Sequence, residues 1–192
     1  MLAQFLSSFK KFNESEINAI VEHTQMESFK KGAIILTEGQ ICNKCYFVLK
    51  GCVRQYQLIN GNEKTTAFFI EGQAAVLYSS YLEKKPSDYY LSCVEDSILT
   101  VGTREQEKEL HKLYPNLEHL TYTLLPQDFT KAQEHIALLN NFSPEERYLL
   151  LMQKQPELIN RVPLHQIASL IGVTPESFSR IRKRILMKEK SK

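Results

Sequence analysis

Seven polar or charged side chains near the carboxyl end of the chain have the chemistry needed to hydrogen-bond a DNA duplex. They are Thr174, Glu176, Ser177, Ser179, Arg180, Lys183 and Arg184. A carboxylate accepts a hydrogen bond from the amino group of cytosine, and a guanidinium donates to O6 and N7 of guanine. Because Glu176 and Arg180 are four residues apart, they lie on one face of a helix. The group therefore predicts a helix that presents base-reading side chains to a major groove.

The sequence around this group predicts two helices joined by a short turn. The first helix has an apolar stripe at helical spacing, formed by Leu164, Ile167, Ala168 and Ile171. Gly172 then suits the left-handed backbone angle that ends a helix, and Thr174 and Pro175 suit the start of the next. The apolar face of that second helix consists of Phe178, Ile181 and Ile185. The pattern predicts a helix-turn-helix, and the alternative is an ordinary helical hairpin with a solvated basic face.

Charge is distributed unevenly along the chain. The net charge is only +2, yet from Ser143 onward 10 Lys and Arg residues stand against 5 Asp and Glu residues. A basic end on a mildly acidic body favours contact with a polyanion, although a solubilising basic tail has the same composition. No run approaches the roughly 18 apolar residues of a membrane span, and no signal peptide is recognisable. We therefore expect a cytoplasmic protein whose cysteines stay reduced.

Short apolar runs separated by turn residues fill the chain from about Phe29 to Thr103. Strand-like pieces such as AIILT, CYFVL and SILTV alternate with turns, and Asn60-Gly61 is a strong signal for a two-residue hairpin. This even spacing predicts an antiparallel barrel or roll. Residues 14–24, which precede it, are predicted to form an amphipathic helix capped by Asn13, with Ile17, Ile20 and Val21 facing inward.

Leucines at coiled-coil spacing follow the strand region. They are Leu110, Leu113, Leu117, Leu120 and Leu124. Pro115 is expected to open the main helix, and Pro126 to kink or restart it. Two interpretations remain open, a helix packed on its own barrel and a helix that joins two copies in a homodimer. Ser143, followed by Pro144 and two glutamates, predicts the start of a further helix.

In this order, a roll, a leucine-lined helix and a helix-turn-helix resemble the Crp/Fnr family of bacterial transcription regulators, and the resemblance spans nearly the whole chain. Its sharpest segments are Glu38-Gly39, YFVLKG from Tyr46, Glu146-Arg147-Tyr148 and VPLHQIASLIGVTPESFSRIRK from Val162. The resemblance implies an α+β fold in three parts. These are a cyclic-nucleotide-binding-like antiparallel β-roll of jelly-roll type over residues 1–103, a long dimerisation helix over 104–140, and a helix-turn-helix domain over 141–192. A full wing after the recognition helix is not expected, since the chain ends at Lys192.

The resemblance also implies function. It implies a homodimer that binds double-stranded DNA and has RNA polymerase as a partner, and it places base readout on Glu176 and Arg180 and a phosphate contact on Thr174. Many members have another Arg just before that Glu, but this chain has Pro175, so one base contact of the pattern is missing. Arg182, Lys183 and Arg184 are assigned to phosphate contacts or to a solvated tail.

Members that bind cyclic nucleotides use a Gly-Glu pair for the ribose and an Arg followed by Ser or Thr for the cyclic phosphate. Turn spacing puts these pairs on Val76-Leu77 and Ser87-Asp88, so the Glu and the Arg are both replaced. Asp88 would repel a phosphate that has lost its guanidinium. We therefore expect no binding of cyclic AMP or cyclic GMP, and the candidate pocket for an unknown effector is Leu77, Tyr78, Ser87 and Asp88.

The four cysteines allow a different class of function. Cys42, Cys45, Cys52 and Cys93 superficially resemble an iron–sulfur ligand set, and a structural zinc is a further option. Core packing is the favoured interpretation for Cys45, Cys52 and Cys93, because they alternate into predicted strand interiors. No resident cofactor and no catalytic residue is expected, because no phosphate loop, nucleophile elbow or clustered histidine is present. The alternatives to a DNA-binding regulator are a redox or metal sensor and a protein-binding adaptor without DNA affinity.

Overall fold

The computed structural model describes residues 1–190, apart from the side chains of residues 126–128, 189 and 190. The chain divides into two compact units. The first contains Met1–Gln55 and Phe68–Thr130, and the second contains Tyr56–Ala67 and the residues from Lys131 onward. No helix in the described part of the chain has the length and apolar character needed to cross a bilayer.

Two four-stranded antiparallel sheets form the roll, as expected. The strands are β1 (Met26–Phe29), β2 (Ile34–Leu36), β3 (Lys44–Lys50), β4 (Val53–Ile59), β5 (Asn62–Phe69), β6 (Ala74–Ala75), β7 (Tyr90–Cys93) and β8 (Ser97–Thr103). One sheet has the order β1-β8-β3-β6 and the other β2-β7-β4-β5. The sequence does not predict β1, because it has no clear apolar alternation, or β6, because it is only two residues long.

Apart from α3, which lies between β6 and β7, the helices precede or follow the strands in sequence. They are α1 (Leu2–Ser7), α2 (Glu14–His23), α3 (Tyr78–Glu83), α4 (Arg104–Leu113), α5 (Pro115–Asn141), α6 (Pro144–Lys154), α7 (Pro156–Arg161), α8 (Leu164–Leu170) and α9 (Pro175–Lys190). Pro115 opens α5 as expected, and the Asn13 side chain accepts a hydrogen bond from Glu16 N–H at the start of α2. The expected restart at Pro126 is wrong, because α5 is one continuous helix.

Alternation along β3 separates two apolar clusters. Tyr46 and Val48 point into the roll, whose core they share with Leu91 and Leu99. The opposite face of the same sheet carries Phe47, whose ring centroid is 4.8 Å from that of Phe5 on α1. One face of this sheet therefore closes the roll and the other is covered by helices.

The leucines of α5 pack within the chain. Leu120 is only 6% exposed and belongs to a cluster with Leu6 and Ile20, against which Leu117 and Leu124 also pack. Leu113 is 63% exposed, so it does not share that packing. The three leucines of α5 therefore pack mainly against α1 and α2 of the same chain.

The hairpin between β4 and β5 turns at Asn60 and Gly61 with φ values of 53° and 77°. Two positive φ values in succession define the type I′ turn that the Asn-Gly pair predicts. Farther along the hairpin, Thr65 N–H donates to Ser169 Oγ on α8 at 2.8 Å. The tip of this hairpin is therefore part of the second compact unit.

Candidate nucleic-acid interface

Helix α9 begins at the position that the sequence predicts. Thr174 Oγ1 accepts a hydrogen bond from Ser177 N–H at 3.3 Å, and Thr174 O accepts one from Phe178 N–H at 2.9 Å. Pro175 is the first residue of the helix, where its missing N–H costs nothing. This local start determines which side chains of α9 face inward and which face solvent.

The inward face of α9 consists of Phe178, Ile181 and Ile185, all buried as predicted. The Phe178 ring meets Tyr148 of α6 edge to face, with centroids 4.8 Å apart. Ile167 and Ala168 of α8 and Ile171 just after it are buried, but the expectation for Leu164 is wrong, because it is 42% exposed at the first residue of the helix. Leu170 is buried in its place.

The outward face of α9 presents the candidate base-reading groups. Glu176, Ser179, Arg180 and Lys183 are exposed, and Ser177 is half-buried. The pKa of the Glu176 carboxyl is lowered by a hydrogen bond from its own backbone N–H, by Thr174 and by the charge of Arg180. Arg180 Nη2 donates to Ser177 Oγ at 3.3 Å. An ionised carboxylate and a guanidinium therefore lie one helical turn apart on an open surface.

The turn between α8 and α9 depends on a glycine and an arginine. Gly172 has a φ of +77°, and a Cβ at this position would lie 3.3 Å from Arg147 Nη1. The Arg147 guanidinium donates to three carbonyls, those of Ile171 at 2.9 Å, Leu139 at 2.6 Å and Phe142 at 2.8 Å. Because helix ends leave carbonyls without partners, one guanidinium here satisfies the ends of both α5 and α8. Arg147 belongs to the segment Glu146-Arg147-Tyr148, but no local sequence pattern indicates this role, since two of its partners are eight and 24 residues away.

Not every basic residue of α9 is free to reach DNA. Arg184 Nη1 lies 3.1 Å and Lys188 Nζ 2.6 Å from the two oxygens of Glu145 on α6. These hydrogen bonds, the one from Lys188 foremost, lower the pKa of Glu145. Part of the donor capacity of Arg184 is therefore used inside the protein, whereas Lys183 is exposed.

The four residues of the candidate effector pocket differ in their exposure to solvent. Leu77 is 6% exposed and belongs to the core of the roll. The buried Ser87 hydroxyl donates to Tyr89 O at 2.8 Å and accepts from Tyr89 N–H at 2.9 Å. Tyr78 and Asp88 are exposed. At the positions where relatives bind a cyclic nucleotide, this chain therefore has Leu77, which is apolar, and Ser87, whose hydroxyl is already hydrogen-bonded to the backbone.

Cys52 and Cys93 are buried in the core as predicted, whereas Cys45 lies on the face of β3 opposite to Tyr46 and Val48. Cys42, Cys52 and Cys93 are buried and Cys45 is half-buried. Burial raises the pKa of Cys42 and Cys93 and raises that of Cys45 to about 12, so the thiolate that a metal requires is disfavoured. Within the described residues, no group of three or more His, Cys, Asp or Glu side chains is placed to hold a metal ion.

Comparison with known proteins identifies relatives of the whole arrangement. Residues 26–113 match the family model described as the cyclic nucleotide-binding domain. The cyclic AMP receptor protein of Thermus thermophilus is 25% identical over 173 residues, which cover 86% of this chain and 79% of that protein. The structure of FixK2 from Bradyrhizobium japonicum superposes with a TM-score of 0.69 at 19% identity, covering 86% of each chain. That of the c-di-GMP responsive global regulator CLP of Xanthomonas campestris has a TM-score of 0.73 at 17% identity, covering 92% and 93%.

Proposed function

The chain is a homologue of the Crp/Fnr-type transcription regulators, and from this premise we propose that it binds specific DNA sequences as a homodimer. The observation that supports this most directly is the geometry of α9. Glu176 and Arg180 are exposed on one side of the helix, and Phe178 and Ile181 are buried on the other. A helix held by its apolar face can present its opposite face to a major groove.

Direct readout falls on two side chains in this proposal. Arg180 donates to O6 and N7 of a guanine, and Glu176 accepts from the amino group of a cytosine. The contact between Arg180 and Ser177 in the free protein is a single 3.3 Å hydrogen bond, which DNA can replace. Pro175 offers no side-chain donor, so we expect a shorter specific half-site than an arginine there would give.

Phosphate contacts fall on Thr174, Ser177, Ser179, Lys183 and Arg184. These contacts position the helix and make binding depend on salt, because each neutralised phosphate releases counterions. Lys183 is the strongest candidate of the group, since it is exposed and α9 extends beyond it. Arg184 contributes less, because Glu145 holds its guanidinium.

Homodimerisation is proposed through a face of α5 other than the one that the leucines form. Tyr122 is 64% exposed, Phe129 is 65% exposed and Ile136 is 60% exposed. They follow one another at intervals of seven residues, which is the repeat of a coiled-coil seam. Large apolar side chains at that spacing suit a second copy of the same helix, and RNA polymerase stays a predicted further partner.

The proposed role of the roll is to set the geometry of the two α5 helices, and an effector would act by favouring one arrangement over another. Cyclic AMP occurs in the name of the Thermus relative. We expect no such ligand here, because Leu77 belongs to the core and the hydroxyl of Ser87 bonds to the Tyr89 backbone.

The test is selection of bound DNA from a random pool, followed by affinity measurements on the recovered site. We expect a two-fold symmetric motif. Arg180→Ala should cost about 1–3 kcal/mol at one base-pair position and relax specificity there, because it removes a bidentate contact. Lys183→Ala should weaken binding to all DNA sequences alike. The control Lys10→Ala removes the same charge from the first unit and should change neither the affinity for DNA nor the sequence specificity. Unchanged DNA affinity in Arg180→Ala with a shallow salt dependence would favour the protein-binding adaptor.

A further inference from the structure

A second cavity lies outside the roll, entirely within the first compact unit. Its volume is about 530 Å³, within the range of roughly 300–1,000 Å³ that small-molecule sites occupy. Its walls are formed by the strands β3, β6 and β8, the helices α1, α2, α3 and α4, and the first turns of α5. Of the four candidate effector-pocket residues, Tyr78 is part of its lining, whereas Leu77, Ser87 and Asp88 are not.

Small residues on the sheet create this space. Cys45 of β3 pairs with Gly102 of β8, so two short positions lie side by side facing the helices. A Cβ built on Gly102 would meet no atom within 4 Å. On the helical side, Leu6 and Ile20 line the cavity and are each only 1% exposed. The wall at these two residues is therefore interior, whereas Tyr122 in the same lining is 64% exposed, so the cavity opens to solvent on the α5 side.

Most of the cavity surface is apolar, and several of its polar groups have a partner within the protein. The Tyr81 hydroxyl donates to Glu107 Oε2 at 3.0 Å, and His111 Nε2 is hydrogen-bonded to Thr121 Oγ1 at 3.2 Å. Arg104 Nη1 makes one weaker bond, donating to Leu82 O at 3.3 Å, and exposed Lys108 lies on the same wall. Two cations against one carboxylate that already accepts a hydrogen bond favour an anionic group on the ligand.

We propose that this cavity binds an apolar carboxylic acid of the fatty-acid type, with its tail between the sheet and the helices and its carboxylate at Arg104 and Lys108. Leu117, Leu120 and Leu124 of α5 form part of the lining, so an occupant contacts the helix to which we assign dimerisation. The proposal deepens the sensing role within the proposed function by naming the ligand class. Binding itself needs neither DNA nor a dimer.

Isothermal titration calorimetry of the full chain with decanoate, without DNA, tests this. We expect saturable binding at one site per chain. Gly102→Leu should weaken it by about tenfold or more, because the added side chain occupies the cavity. The matched control Gly102→Ala adds only a Cβ in open space and should stay within about twofold of the wild type. Thermal unfolding of each variant verifies that it is folded.

The carboxylate has its own test. Arg104→Gln should weaken decanoate about tenfold, the value of one charge-assisted hydrogen bond, and leave decanol unaffected. The proposal is overturned if decanoate does not bind, if folded Gly102→Leu binds it as tightly as the wild type, or if decyltrimethylammonium binds more tightly. A further pair of results would also overturn it. If Gly102→Leu abolishes dimerisation in analytical ultracentrifugation and the wild-type dimer does not bind decanoate, then a second copy of the chain fills the cavity. If the protein does not bind DNA but binds decanoate as described, the proposed function is wrong and the proposed ligand site stands.

Discussion

The exposed face of α9 and the cavity between the outer sheet face and α5 differ in how they are built. The first consists of side chains from one helix, so their relation follows from helical spacing alone. The second exists because residues from three strands and five helices leave a space, and Gly102 contributes by having no side chain. A surface on a single element can be predicted from its residues, whereas a cavity is a property of packing between elements.

The largest loss of stability is expected from a substitution on the buried face of α9, which holds the exposed face in place. Phe178→Ala should lower the free energy of unfolding by about 3–5 kcal/mol, because it leaves a cavity beside the Tyr148 ring. Urea denaturation measures this. Leu186→Ala on the same helix, where the leucine is 54% exposed, should cost about 0.5 kcal/mol or less. Equal costs at the two positions would contradict the assignment of the faces of α9.

The two glycines sharpen the contrast between the regions. Gly172→Ala should cost about 1–2 kcal/mol, because a φ of +77° strains a residue with a Cβ and Arg147 lies 3.3 Å away. Gly102→Ala should change stability by about 0.5 kcal/mol or less, since its φ is not positive and the added atom meets nothing. Thermal and urea unfolding of both variants compare them. A loss at Gly102 as large as at Gly172 would mean that the cavity has no room for a side chain.

The smallest expected effect concerns the ion pairs between α6 and α9. The pKa of Glu145 is lowered in the folded protein from its ordinary value of 4.5, chiefly by the hydrogen bond from Lys188. Its ionised form therefore stabilises the fold above about pH 4.5, and that contribution is lost as the pH falls through the lowered pKa. Melting temperatures of wild type and Glu145→Gln should differ at pH 7 and converge near pH 3.

A double-mutant cycle with Lys188→Gln isolates the pair from other effects of removing the charge. The coupling between the two substitutions should also shrink at high salt, because the ion pair is partly exposed. A difference between wild type and Glu145→Gln that stays constant from pH 7 to pH 3 would contradict this role.

Much of the fold could be predicted because it rests on local signals. Asn60-Gly61 has the turn angles that its residues favour, and Phe178, Ile181 and Ile185 are buried as their spacing requires. Leu164 was misassigned because α8 is only seven residues long and its first residue lies at the edge of the packing. The leucines of α5 could not be assigned from their spacing, since the same repeat suits a partner chain and the amino-terminal helices. The cavity and the bonds of Arg147 depend on residues that are distant in sequence, and no periodicity encodes them.

The guanidinium of Arg147 has a mechanical consequence. It is planar and rigid, and it holds carbonyls at the last turn of α5, at the residue after that helix and at the end of α8. Those three backbone points cannot shift separately without breaking a bond to the same group. If the final turn of α5 rotates, the turn before α9 must therefore move with it, and Arg147 is the rigid link between the two.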